Sequence, residues 1–143
     1  MDSNIFTGME HVALAAHDPK ALAEFYARAA GFKTRITFDN GPDKPKTYMI
    51  GFHDNGPFIE IVPAELNKPW SARENSDPGL VHLAISVADY DAAAAHLASI
   101  GVRKEGEERK APFGGRVQFY RDPEGNLFHI LFRPTPLPPH NGV

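Results

Sequence analysis

Hydrophobic and polar positions along the chain fall into a pattern that occurs twice. Residues 11–18, HVALAAHD, form a short apolar run entered through a histidine and closed by an aspartate, and residues 82–89, HLAISVAD, place the same residue types at the same offsets. Each run is followed by a helical period. In PKALAEFYARAAGF, Leu22, Phe25 and Ala29 share one face, Asp18 is an N-cap, Pro19 takes the first helical position and Gly31 is a stop. In YDAAAAHLASIGV, Asp89 caps, Ala93, Leu97 and Ile100 supply the apolar face, and Gly101 stops the helix.

Strand-like stretches complete each half: KTRITF (33–38), KTYMIGF (46–52) and PFIEIVP (57–63), then VRKEGEE (102–108), RVQFYR (116–121) and NLFHILF (126–132). A Gly-Pro-Asp region at 41–45 and DPEG at 122–125 read as turns. The order β-α-β-β-β therefore appears twice, which predicts an α+β fold of two tandem βαβββ modules. One domain over residues 1–143 is expected, with module one at about 8–63, a polar linker at 64–79, module two at about 80–133 and a loose proline-rich tail at 134–143.

Composition narrows the function classes. A formal net charge of −3 gives no basic field for nucleic acid or anionic lipid. No apolar run approaches a membrane span, and the N-terminus has no signal-peptide pattern, so a cytoplasmic protein without a membrane partner is expected. The chain has no cysteine. Thiolate chemistry and sulfur-ligated metals are excluded, and any metal must be held by histidine, carboxylate or water.

Aligning the halves brings out four residues. Glu60 lies four residues after Gly56 and His129 four after Gly125, each inside an apolar strand. Glu60 follows His11 by 49 residues, and His129 follows His82 by 47. His11, Glu60, His82 and His129 thus form two repeat-related pairs. An ionised carboxylate or an imidazole in an apolar strand is costly to bury without partners. Gathered on one divalent ion, the four offset one another's desolvation, and three nitrogens with one carboxylate suit Fe, Ni, Co, Mn or Zn better than Ca or Mg. A metal-free polar pocket, or a pair of His–Glu hydrogen bonds, is the simpler alternative.

HVALAAHDPKALAEFYARAAGF, FIEIVP, VHLAISVAD and YRDPEGNLFHILF together resemble the vicinal oxygen chelate superfamily, the glyoxalase, bleomycin resistance protein and dioxygenase family, over about residues 8–133. The resemblance implies eight strands forming an incomplete barrel around a metal site. It makes His11, Glu60 and His82 ligands like those of glyoxalase I, while His129 stands where that family carries a second glutamate. Glu60 and His129 become the candidate catalytic groups for proton transfer. Glutathione specificity is not implied, because the first strand offers Ala13 and Ala15 where bacterial glyoxalase I carries an arginine. The resemblance points to a metal-dependent lyase or isomerase whose small-molecule substrate chelates the ion through vicinal oxygens. A non-haem iron dioxygenase and a metal-free drug-binding protein are the alternatives, and a homodimer is implied.

Other side chains carry weaker signals. Arg35, Arg116 and Arg121 are possible anion binders, Trp70 a lid or dimer contact, and Tyr48, Phe58, Phe119 and Tyr120 possible pocket walls. RKAPFGGR (109–116) reads either as a closing loop or as a hairpin connection. His17, His53, His96 and His140 fall outside the repeat register and are expected on the surface.

Overall fold

The computed structural model describes residues 5–70 and 73–138. His140 and the end of the tail lie outside them. The chain divides into two compact units, residues 1–69 and 70–143, each a four-stranded mixed sheet with one helix.

In the first unit, β1 (His11–Ala16), α1 (Pro19–Ala30), β2 (Lys33–Phe38), β3 (Thr47–Gly51) and β4 (Phe58–Pro63) follow in order. The sheet order is β1-β4-β3-β2, with β1 and β4 parallel and the other pairs antiparallel. The helix begins as the sequence dictates: the Asp18 carboxylate accepts from the Ala21 amide, and Pro19 opens the first turn. It ends because Gly31 takes the left-handed conformation at φ 75°, letting its amide and that of Phe32 reach the carbonyls of Ala27 and Tyr26. The helix packs on the sheet through Leu22, Phe25, Tyr26 and Ala29, all buried. Ala16, Ile50, Ile59 and Ile61 are buried strand residues of this core. In the paired strands Glu60 shares the register of Ala13 and Met49, one position out of phase with Ile59 and Ile61, so it faces away from the helix.

The second unit repeats the plan with β5 (His82–Ser86), α2 (Tyr90–Ser99), β6 (Lys104–Ala111), β7 (Gly115–Arg121) and β8 (Leu127–Phe132) in the order β5-β8-β7-β6. Asp89 caps α2 by accepting from the Ala92 amide. Two details depart from the expected face. Tyr90 and Leu97 are the buried residues of this helix, whereas Ile100 lies past its last turn and is 39% exposed. β7 and β8 are buried on both faces, from Val117 to Tyr120 and from Leu127 to Ile130.

β6 runs to Ala111 and returns through a single short turn, Pro112–Gly114, into β7, so RKAPFGGR is a hairpin connection. The DPEG turn is built on Asp122, which is buried and accepts from the amides of Glu124 and Asn126 and from the Asn126 side chain. Trp70 is exposed, and its indole N–H donates to Glu124 at 2.8 Å. No helix among the described residues is long and apolar enough to cross a membrane.

Candidate metal centre

Each unit brings together the pair that its half of the repeat supplies. In the first, β1 and β4 run parallel with Ala13 opposite Glu60, which sets Glu60 diagonally across from His11 on the face turned away from α1. His11 Nε2 lies 2.9 Å from Glu60 Oε2, and His11 Nδ1 is in contact with Glu10 Oε2. Each ring nitrogen of His11 thus lies against a carboxylate oxygen. The hydrogen bond to Glu10, with the charges of Glu10 and Glu60, raises the His11 pKa above its ordinary value despite some desolvation. Glu60 is half-buried rather than buried, with its side chain 24% exposed.

In the second unit, His82 and His129 sit on neighbouring parallel strands, β5 and β8, their ring centres 4.6 Å apart. Phe119 on β7 meets both edge-on, at 5.3 Å from His82 and 4.9 Å from His129. His82 Nδ1 donates to Asn75 Oδ1 at 2.6 Å, which places the ring proton on Nδ1 and leaves the Nε2 lone pair available. A ligating histidine is commonly oriented by such a bond on its second nitrogen. The repeat-related His11 likewise has its Nδ1 against a side-chain oxygen, that of Glu10, but its Nε2 lies against Glu60. Desolvation lowers the His82 pKa.

His129 is the anomaly. It is 8% exposed, and among the described residues neither ring nitrogen has a hydrogen-bond partner. Besides His82, the same sheet face carries the apolar residues Val117, Phe119 and Leu127, with Leu131 packed against them. Burial first, then the proximity of His82 and Arg133, pushes its pKa down to about 4, so the ring is neutral at neutral pH with an unshared nitrogen lone pair. A buried polar group left unpaired costs about 1–3 kcal/mol. Such a ring fits a ligand or metal that engages it.

No group of three or more His, Cys, Asp or Glu side chains that could hold a metal is gathered among the described residues. The donor chemistry of both pairs nevertheless fits a divalent transition ion: neutral or deprotonatable imidazoles beside one carboxylate, two of them oriented through Nδ1.

The comparisons with known proteins agree with this architecture. Residues 8–130 match the family model of the Glyoxalase/Bleomycin resistance protein/Dioxygenase superfamily. The chain belongs to that superfamily. No curated protein matches it significantly. Among solved structures it is similar to the trypanothione-dependent glyoxalase I of Leishmania major, with 21% identity and a TM-score of 0.69 over 89% of this chain and 87% of that one. It is likewise similar to a glyoxalase family protein from Enterococcus faecalis, with 24% identity and a TM-score of 0.69 over 88% and 98%. A third similar structure is TnmS3, an antibiotic binding protein from a Streptomyces species, with 20% identity and a TM-score of 0.65 over 90% and 98%. At these identities the likeness is one of fold. The superfamily's description joins enzymes with resistance proteins, and its two-module βαβββ plan is the one seen here.

Asn75 and Glu10 were not legible as site residues. Each contacts a candidate ligand through a side chain, and nothing in the repeat marks them: Glu10 directly precedes His11, and Asn75 lies in the polar stretch before β5. His17, half-buried, has its Nε2 2.9 Å from the Lys68 carbonyl, and His53 and His96 are exposed. Tyr120 alternates with Phe119 along β7 and so faces the other side of the sheet, its buried hydroxyl without a hydrogen-bond partner among the described residues and its pKa pushed up to about 12 by desolvation.

Proposed function

We propose that His11, Glu60, His82 and His129 are the ligands of one divalent transition metal, Fe, Ni, Co, Mn or Zn. The protein is then a metal-dependent lyase or isomerase of the glyoxalase kind, acting on a small substrate that chelates through vicinal oxygens. The observation that carries this reading is His129. A neutral imidazole with two unpartnered nitrogens in an apolar cluster is a poor structural residue and a good ligand.

When bound, the ion supplies Lewis-acid stabilisation of charge developing on the substrate oxygens. The chain's own groups do the rest. Glu60 Oε2, already 2.9 Å from His11 Nε2, is the carboxylate able to accept and return a substrate proton, and His129 is the second candidate base. Asn75 and Glu10 hold the rings of His82 and His11 through Nδ1. The apolar cluster of Val117, Phe119 and Leu127 limits water at His129. The same reading takes the working form to be a cytoplasmic homodimer, with no nucleic acid or membrane partner.

Metal content by elemental analysis tests this, on protein purified without a metal-affinity tag. Wild type should carry a near-stoichiometric transition metal that is lost in His129→Ala and in Glu60→Gln. Iron with oxygen uptake would move the activity to a dioxygenase. A wild type that neither carries nor accepts metal would overturn the enzyme reading in favour of a small-molecule binder.

A further inference from the structure

The arginines that the sequence singles out as anion binders are already committed in the fold. Arg35 Nη1 lies 2.8 Å from Asp54, Arg116 Nε 2.6 Å from Glu108 with Nη2 3.2 Å from Asp91, and Arg121 Nε 2.6 Å from Glu105. A guanidinium neutralised in this way has little attraction left for an incoming anion.

Arg109 differs. Among the described residues it has no carboxylate partner and no hydrogen bond; its guanidinium lies over the ring of Phe119, with Cζ 5.0 Å from the centroid. A bulge fixes the face on which it stands. The register of β6 against β7 shifts between Glu105 and Arg109, Gly106 takes φ 72°, and the buried Gln118 amide donates to the carbonyls of Glu105 and Gly106. Beyond the bulge Arg109 pairs with Val117, so it shares the sheet face of Val117, Phe119 and His129. Phe119 is thus a common wall: the cation lies over its face, and the rings of His82 and His129 meet it edge-on. The charge stands no more than about 10 Å from the His129 ring, since both lie against the same phenyl group.

We propose that Arg109 binds the anionic tail of the substrate, a carboxylate or similar group whose other end reaches His82 and His129. The contact with Phe119 restrains the guanidinium, whose N–H groups have no partner among the described residues and can meet a carboxylate bidentately. Glu105, on the same face, is neutralised by Arg121 and does not oppose an anion. The substrate class is therefore a vicinal-oxygen compound with a second, negatively charged end. The chelating end rests on the metal reading above; the anionic end does not.

Two probes with the same head and different tails, 2-oxoglutarate and 2-oxopentanoate, test this by calorimetry on metal-loaded protein. Wild type should prefer 2-oxoglutarate on the order of tenfold to a hundredfold, as a charge-assisted hydrogen bond predicts. Arg109→Gln should abolish the preference by weakening 2-oxoglutarate alone, and Arg116→Gln should leave it intact. Glutarate, which lacks the chelating head, should shift the Arg109 side-chain N–H and Phe119 ring resonances of metal-free wild type in an NMR titration. If the protein takes no metal but the glutarate shifts appear and vanish in Arg109→Gln, the anion site stands and the metal reading falls. A preference that survives in Arg109→Gln, equal losses in both variants, or no glutarate shift at Arg109 would each overturn the proposal.

Discussion

Replacing His129 by leucine should stabilise the metal-free protein while removing its metal. The wild-type ring is 8% exposed, has two unpartnered nitrogens and is neutral at pH 7. Two unsatisfied buried atoms cost about 1–3 kcal/mol each. Leucine, of similar volume, removes that cost and joins Val117, Phe119, Leu127 and Leu131. Against this stand the ring contacts with His82 and Phe119, at about 0.5–1.5 kcal/mol each. The net expectation is a gain of about 2 kcal/mol, or roughly 4–8 °C in Tm for a chain of this size. Urea denaturation of chelator-treated protein would read the free energy with the m-value as a check on compactness, and elemental analysis would read the metal. A variant less stable than wild type by 1 kcal/mol or more would refute the reasoning, because it would mean that the imidazole already satisfies its nitrogens within the protein.

Further outcomes follow from the same geometry. Because the folded His129 pKa is near 4 and the unfolded value is 6.5, the unfolded chain alone takes up the proton between those pH values; this group should cost the metal-free protein about 3 kcal/mol as pH falls from 6.5 to 4, with none of that loss in His129→Leu. Urea midpoints across that range would measure it, and identical pH slopes in the two proteins would count against it. Asn75→Ala should weaken metal binding about 10- to 100-fold and let the His82 ring proton move off Nδ1, read by calorimetry and by imidazole ¹⁵N shifts, with an unchanged tautomer the adverse result. Asp122→Ala removes a buried carboxylate that accepts from two amides and the Asn126 side chain, and should cost about 3 kcal/mol in urea denaturation; a loss under 1 kcal/mol would show that the DPEG turn holds without it.

By itself the sequence determined the features whose causes lie within a few residues of chain. Asp18 and Asp89 cap their helices, and Gly31 ends the first, because each of these signals is a contact with the adjacent turn. The duplicated β-α-β-β-β order was legible because strand alternation and helical period are local patterns, and the offsets of His11, Glu60, His82 and His129 were legible because the repeat can be counted. Tertiary structure decided what those side chains meet. That Ile100 is left exposed while Tyr90 is buried depends on where α2 ends against its sheet, not on its period. The bulge that turns Arg109 onto the face of Phe119 depends on Gln118, nine residues later in the chain. The pairing of Arg35, Arg116 and Arg121 with carboxylates, the bond from His82 to Asn75 and the absence, among the described residues, of a hydrogen-bond partner for His129 are set by strand register and by which polar groups come within hydrogen-bond reach. Reach and register are properties of packed strands, and a linear pattern carries them only where the partner is a near neighbour.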